Sequence, residues 1–105
     1  MANLSKNRAA CLKTQYALAH HARPLQPIFQ AFQNALDWSG LLHTIQSERG
    51  GANSNFLYLS DGRKFILRGR LHSGLKPFIS VRNYQTGQET ILYSTRDAIR
   101  FVEAL

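Results

Sequence analysis

The chain has 105 residues, with 13 Lys+Arg against 6 Asp+Glu and a formal net charge of +7. Hydrophobic residues make up 44% and charged residues 18%, which suits one small globular domain and lies outside the range of disordered chains. The longest apolar runs, such as Phe56-Leu57-Tyr58-Leu59, fall far short of the roughly 20 residues of a membrane-crossing helix. The first residues lack the apolar segment of a signal peptide, and the single Cys11 cannot close an internal disulfide. An intracellular protein, cytoplasmic or nucleoid-associated, is expected.

In chain order, Ala9, Ala10, Leu12, Tyr16, Ala17 and Ala19 predict a helix over about residues 5–21 that ends before Arg23-Pro24. Leu25, Ile28, Phe29, Phe32, Ala35 and Leu36 recur at spacings of three and four and predict a second helix over residues 25–36, opened by Pro24 or Pro27. Asp37 to Arg49 is read as a further short helix with Trp38, Leu41, Leu42 and Ile45 inward, interrupted by Gly40. Beyond residue 55 the period falls to two and turn residues recur. Asp61-Gly62 between Phe56–Ser60 and Lys64–Leu71 predicts a hairpin with a type I′ turn. His72-Ser73-Gly74 makes the next turn, and Thr86-Gly87 joins Phe78–Tyr84 to Glu89–Ser94. Thr95 is the expected N-cap of a closing helix, Arg96–Leu105, with Ala98, Ile99, Phe101, Val102 and Leu105 apolar and Asp97 in the first turn. The fold expected is α+β, with N-terminal helices (residues 1–50) followed by a four-stranded antiparallel meander and a C-terminal helix (residues 55–105) in a single domain.

Strand alternation sorts the side chains by face. Leu57, Leu59, Phe65, Leu67, Leu71, Ile79, Val81, Ile91 and Tyr93 are assigned to a core face. The other face then shows Phe56, Tyr58, Lys64, Ile66, Arg68, Arg70, His72, Phe78, Ser80, Arg82 and Tyr84. The positive charge is patterned to match: residues 63–82 hold Arg63, Lys64, Arg68, Arg70, Lys76 and Arg82 with no acid, and residues 1–23 hold Lys6, Arg8, Lys13 and Arg23 with no acid. Guanidinium groups can pair with phosphates while exposed rings stack on unpaired bases. The alternative is a three-layer domain in which the N-terminal helices cover Phe56, Tyr58, Ile66 and Phe78 and leave arginines only at the sheet edges. The first basic segment, with His20 and His21, fits either an arm along a phosphate backbone or a solvated helix face, with the paired histidines at the surface.

No Cys-x-x-Cys, His-Glu-x-x-His or phosphate-loop spacing occurs, so neither a metal nor a nucleotide cofactor is expected. Cys11 falls at an apolar helical position and reads as packing. One enzymatic alternative survives, a metal-independent ribonuclease toxin drawing on His72, Tyr84, Arg68, Arg70 and Arg82.

The segment from Gly62-Arg63-Lys64-Phe65 through Lys76-Pro77-Phe78-Ile79-Ser80-Val81-Arg82-Asn83-Tyr84, with Thr86-Gly87 and the helix-opening Ser94-Thr95, resembles the transcriptional coactivator p15 type of single-stranded-DNA-binding domain. That resemblance implies a basic, curved four-stranded sheet followed by a helix, usually in a homodimer, binding melted DNA. Residues 93–105, Tyr93-Ser94-Thr95-Arg96-Asp97-Ala98 onward, are similar to the arm-type DNA-binding domains of tyrosine-recombinase integrases, which implies a sheet in the major groove of duplex DNA. Helices followed by a basic sheet are also similar to ribosome-dependent mRNA interferase toxins. The function expected is binding of nucleic acid, single-stranded before duplex, with Lys64, Arg68, Arg70, Lys76 and Arg82 on phosphates and Tyr58, Phe78 and Tyr84 stacking. The alternative is a small interaction or inhibitor protein, such as a mobile element encodes, that docks on a protein partner.

Overall fold

Proline lacks an N–H, which costs nothing in the first turn of a helix, and the two prolines here open consecutive turns. In the computed structural model, which describes residues 21–47 and 53–105, Pro24 lies in a short 3-10 turn, Arg23–Leu25, and Pro27 in the first turn of α1, Gln26–Ser39. The expected helix over 5–21, Cys11, and the basic residues Lys6, Arg8 and Lys13 lie outside the described residues. His21 is described, and it is buried rather than at the surface: its ring stacks on Phe29 at 3.6 Å and its Nε2 meets the Asn55 side chain.

The α1 helix ends where Gly40 takes a left-handed φ of 74°, and the chain then extends. What was expected to continue as a helix is a strand, β1, His43–Ser47. Leu41 and Ile45 are half-buried against the core as expected, but Trp38 (91% exposed) and Leu42 (61% exposed) point outward. Spacings of three and four fitted a helix, but a left-handed Gly40 resets the direction of the chain. His43 ties the new strand to α1: its Nδ1 donates to Leu41 O (2.7 Å), while the Gln33 amide donates to Asp37 Oδ1 (2.8 Å) and faces His43 Nε2 at 3.0 Å.

Four further strands follow, β2 (Ser54–Leu59), β3 (Lys64–Arg70), β4 (Phe78–Asn83) and β5 (Glu89–Leu92). Each pairs antiparallel with its predecessor, giving a five-stranded sheet in chain order instead of the expected four strands. The β2–β3 loop is Ser60-Asp61-Gly62. Among the described residues only glycines have positive φ, so Asp61 excludes the expected type I′ turn. Instead Gly62 N donates to Leu59 O (3.0 Å), Gly62 takes a φ of 96°, and the Asp61 carboxylate accepts from Arg63 N (3.0 Å) and Nε (2.8 Å). Local pairing of an Asx side chain thus favours the three-residue hairpin over the two-residue one.

The closing helix α2, Thr95–Glu103, is capped by Ser94, not Thr95: Ser94 Oγ accepts from Asp97 N at 3.2 Å. Ala98 and Val102 are buried by it, whereas Ile99 is exposed. Both α1 and α2 lie on one face of the sheet. Leu25, Ile28, Phe29, Phe32 and Leu36 from the first helical region meet Leu57, Leu59, Phe65, Leu67, Ile79, Val81 and Leu92 from the strands and Ala98 and Val102 from α2 in one core. The helices touch through Phe32 and Phe101, 5.7 Å apart, and the Phe101 ring also meets Phe65 edge-on at 5.8 Å. The 3-10 turn can settle on the sheet because β3 carries Gly69 beneath Leu25. Gly69 N donates to Asn53 O (2.7 Å) and Asn53 Oδ1 accepts from Ala22 N (2.9 Å).

Two face assignments are corrected. Leu71 leaves β3 and is exposed. In β5, Ile79 pairs with Leu92 and Val81 with Thr90, so Leu92 enters the core while Ile91 and Tyr93 turn to the other face. The β4–β5 loop is responsible: Asn83 and Gln88 bracket four residues, and Asn83 Oδ1 collects Gln85 N (2.9 Å) and Thr86 N (3.0 Å). That loop length sets the parity of every later residue.

Candidate nucleic-acid interface

Register places the side chains of the face opposite the described helices in rows across the sheet. Tyr58 lies opposite Lys64, whose carbonyl accepts from Tyr84 N (2.8 Å) at the start of the β4–β5 loop. The next row is Gln46, Phe56, Ile66, Arg82 and Glu89, followed by Ser54, Arg68, Ser80 and Ile91. Arg70 and Phe78 form the last row, with Tyr93 5.6 Å and His72 6.5 Å from the Phe78 ring. Rows are two residues apart along each strand, roughly 6.7 Å.

Two clusters result. At one end Lys64 Nζ stands over three rings at once, 4.1 Å from the centroid of Tyr84, 4.7 Å from Phe56 and 5.2 Å from Tyr58. An ammonium so placed is attracted by the ring quadrupoles, so this lysine braces an aromatic platform as well as charging it. Tyr84 is 61% exposed and forms its outer wall. At the other end a shallow groove of about 280 Å³ is lined by Arg68, Arg70 and Arg82, with Phe78, His72 and Ile91 around Ser80 and with Glu89 as the single acid. Arg70 and Arg82 are exposed, and neither forms an ion pair with any of the described residues. Ser80 is buried and its Oγ donates to Arg68 O at 3.5 Å. A small hydroxyl at the floor leaves room between the arginine stems.

The structure thus gathers Arg68, Arg70, Arg82 and Phe78 in the groove, and Lys64, Tyr58 and Tyr84 in the platform. Lys76 stands apart, exposed in the loop between β3 and β4 and outside the groove lining. Sequence reasoning missed Tyr93 and Ile91 on this face, and Asn83 with Thr86-Gly87 is the signal that carries the four-residue loop and hence their parity. The described helices both cover the opposite face; a covering by residues 5–21 concerns residues outside the described ones.

His72 and Tyr84, the acid and base of a ribonuclease reading, stand at opposite ends of β3 and β4, roughly 20 Å apart by strand rise. Among the described residues no three His, Cys, Asp or Glu side chains gather to hold a metal ion, and no helix is long and apolar enough to cross a membrane. No family model matches the chain, and no curated protein or solved structure matches it.

Proposed function

We propose that this chain binds single-stranded nucleic acid on the face of its sheet opposite the described helices. One observation carries the reading: three arginines of adjacent strands line a single groove that opens between two groups of aromatic rings. Guanidinium groups fit phosphate oxygens in a fork geometry, and rings beside them favour bases with free π-faces, which a duplex does not offer. The same reading puts the chain in the cytoplasm or nucleoid, where such strands are exposed.

The test is fluorescence anisotropy with labelled single-stranded DNA, duplex DNA and single-stranded RNA at two salt concentrations. Single strands are expected to bind more tightly than duplex, and the double variant Arg70→Ala/Arg82→Ala to weaken binding and flatten its salt dependence with an unchanged circular-dichroism spectrum. Equal affinity for duplex, or an unaltered double variant, overturns the reading.

A second reading, docking on a protein partner, is favoured by the exposed Trp38 near the C-terminal end of α1. It predicts that Trp38→Ala abolishes capture of a defined partner while leaving oligonucleotide affinity intact.

A further inference from the structure

From the spacing of the two aromatic groups we infer that the face takes a run of four unpaired nucleotides laid along β3 and β4, its outer bases stacked and its three inner phosphates over Arg82, Arg68 and Arg70. This rests on the nucleic-acid reading and adds a footprint and a direction to it.

The platform braced by Lys64 and the ring pair Phe78–Tyr93 lie at opposite ends of β3. Lys64 and Arg70 are six residues apart in that strand, which spans roughly 20 Å. Nucleotides in a stacked duplex strand advance roughly 3.4 Å each, and a strand drawn out of its stack advances roughly twice that. The sheet repeats its own side chains at almost the same interval, since rows are two residues apart. An extended strand therefore keeps in step with the rows, one nucleotide to each.

The chemistry of the rows follows the same order. The first offers rings, Tyr58 and Tyr84, around Lys64. The second offers Arg82 between Ile66 and Glu89, its one ring, Phe56, lying on β2 beneath Lys64, and the third offers Arg68 beside Ser80 and Ile91. The fourth offers Arg70 with Phe78 and Tyr93. Bases at the two ends have a surface to stack on, while the middle two meet only arginine stems and turn outward. A path across the strands fits worse: running from β2 to β5 within one row, it meets at most one arginine, and the row with rings on both sides, Tyr58 and Tyr84 about Lys64, has none. Glu89, at the β5 end of the Arg82 row, further disfavours phosphates on that side.

The experiment is a length series of thymidylate oligomers from two to eight nucleotides, with uridylate RNA oligomers in parallel, titrated against the intact protein. Affinity is expected to climb steeply up to four nucleotides and then to rise only with the number of overlapping registers. In the four-nucleotide ligand, an abasic site at either end is expected to cost about tenfold and one at either middle position much less. Tyr84→Ala and Tyr93→Ala, both at exposed side chains, should each silence the abasic penalty at one end only, and the end silenced gives the strand's polarity. A break at four in either sugar series supports the footprint, and the tighter series names its source. Affinity that grows evenly through eight nucleotides, or middle positions as costly as the ends, overturns the footprint while leaving single-strand binding standing. Absence of binding at every length in low salt takes down both.

Discussion

A methyl group added at Gly69 would collide with the Leu25 Cδ1 methyl and stand 3.0 Å from Asn53 Cβ. Leu25 is fully buried and has nowhere to retreat, so the position demands glycine for space, its φ being ordinary. Gly69→Ala is expected to lose about 1–3 kcal/mol of stability in urea denaturation, and Leu25→Ala introduced with it should recover part of the loss, a non-additivity that identifies the collision. Asp61 makes the opposite case, an exposed residue governed by a single charged neighbour. The Arg63 side chain, through its hydrogen bond to the carboxylate, holds Asp61 below its ordinary pKa, helped by the Arg63 backbone N–H. A lowered folded-state value means that the pair's contribution is complete above the unfolded-state pKa and is lost as pH falls through the folded one. NMR titration of the Asp61 carboxyl should therefore show a depressed midpoint, and Arg63→Ala should move it upward.

At the level of elements, α2 depends on its cap. Ser94 Oγ satisfies Asp97 N, and the Asp97 carboxylate returns to accept from Tyr93 N at 2.9 Å, closing both ends of the first turn. Ser94→Ala is expected to cost about 1 kcal/mol, read as a lower thermal midpoint, whereas Thr95→Ala should cost much less, because Thr95 is not the cap. The sequence made α1, β2 to β4 and α2 legible because each carries an unambiguous period: Ile28, Phe29, Phe32 and Leu36 for a helix, and Leu57, Phe65, Leu67, Ile79 and Val81 for strands. It hid β1, since Leu41, Leu42 and Ile45 satisfy a helical spacing and a five-residue strand is too short to argue otherwise. Of the candidate site, the arginines and the first aromatic group were legible from alternation within single strands. Tyr93 was not, because its side depends on how many residues the preceding loop contains, a quantity fixed by Asn83 side-chain bonds and not by any hydrophobic pattern.

For the molecule as a whole, two layers leave one sheet face without helical cover among the described residues, and the acid-free stretch 63–82 supplies its charge. Binding that neutralises three phosphates on a single strand should show a log–log salt slope of roughly 2, and removing Arg70 and Arg82 together should reduce it by roughly 1.4. The order of the sheet has a kinetic side as well. Because β1 to β5 pair strictly with their chain neighbours, the sheet can assemble hairpin by hairpin with little loop entropy lost at each step. The contact between Phe32 and Phe101 is different: it joins the helices that precede and follow the sheet in the chain, 69 residues apart, and closes the longest loop of the fold. That clasp is expected to form late in folding and to open early in unfolding. Phe101→Leu is expected to speed unfolding while leaving the refolding rate almost untouched in stopped-flow chevrons, the signature of two rings that lengthen the life of the folded state while taking little part in forming it.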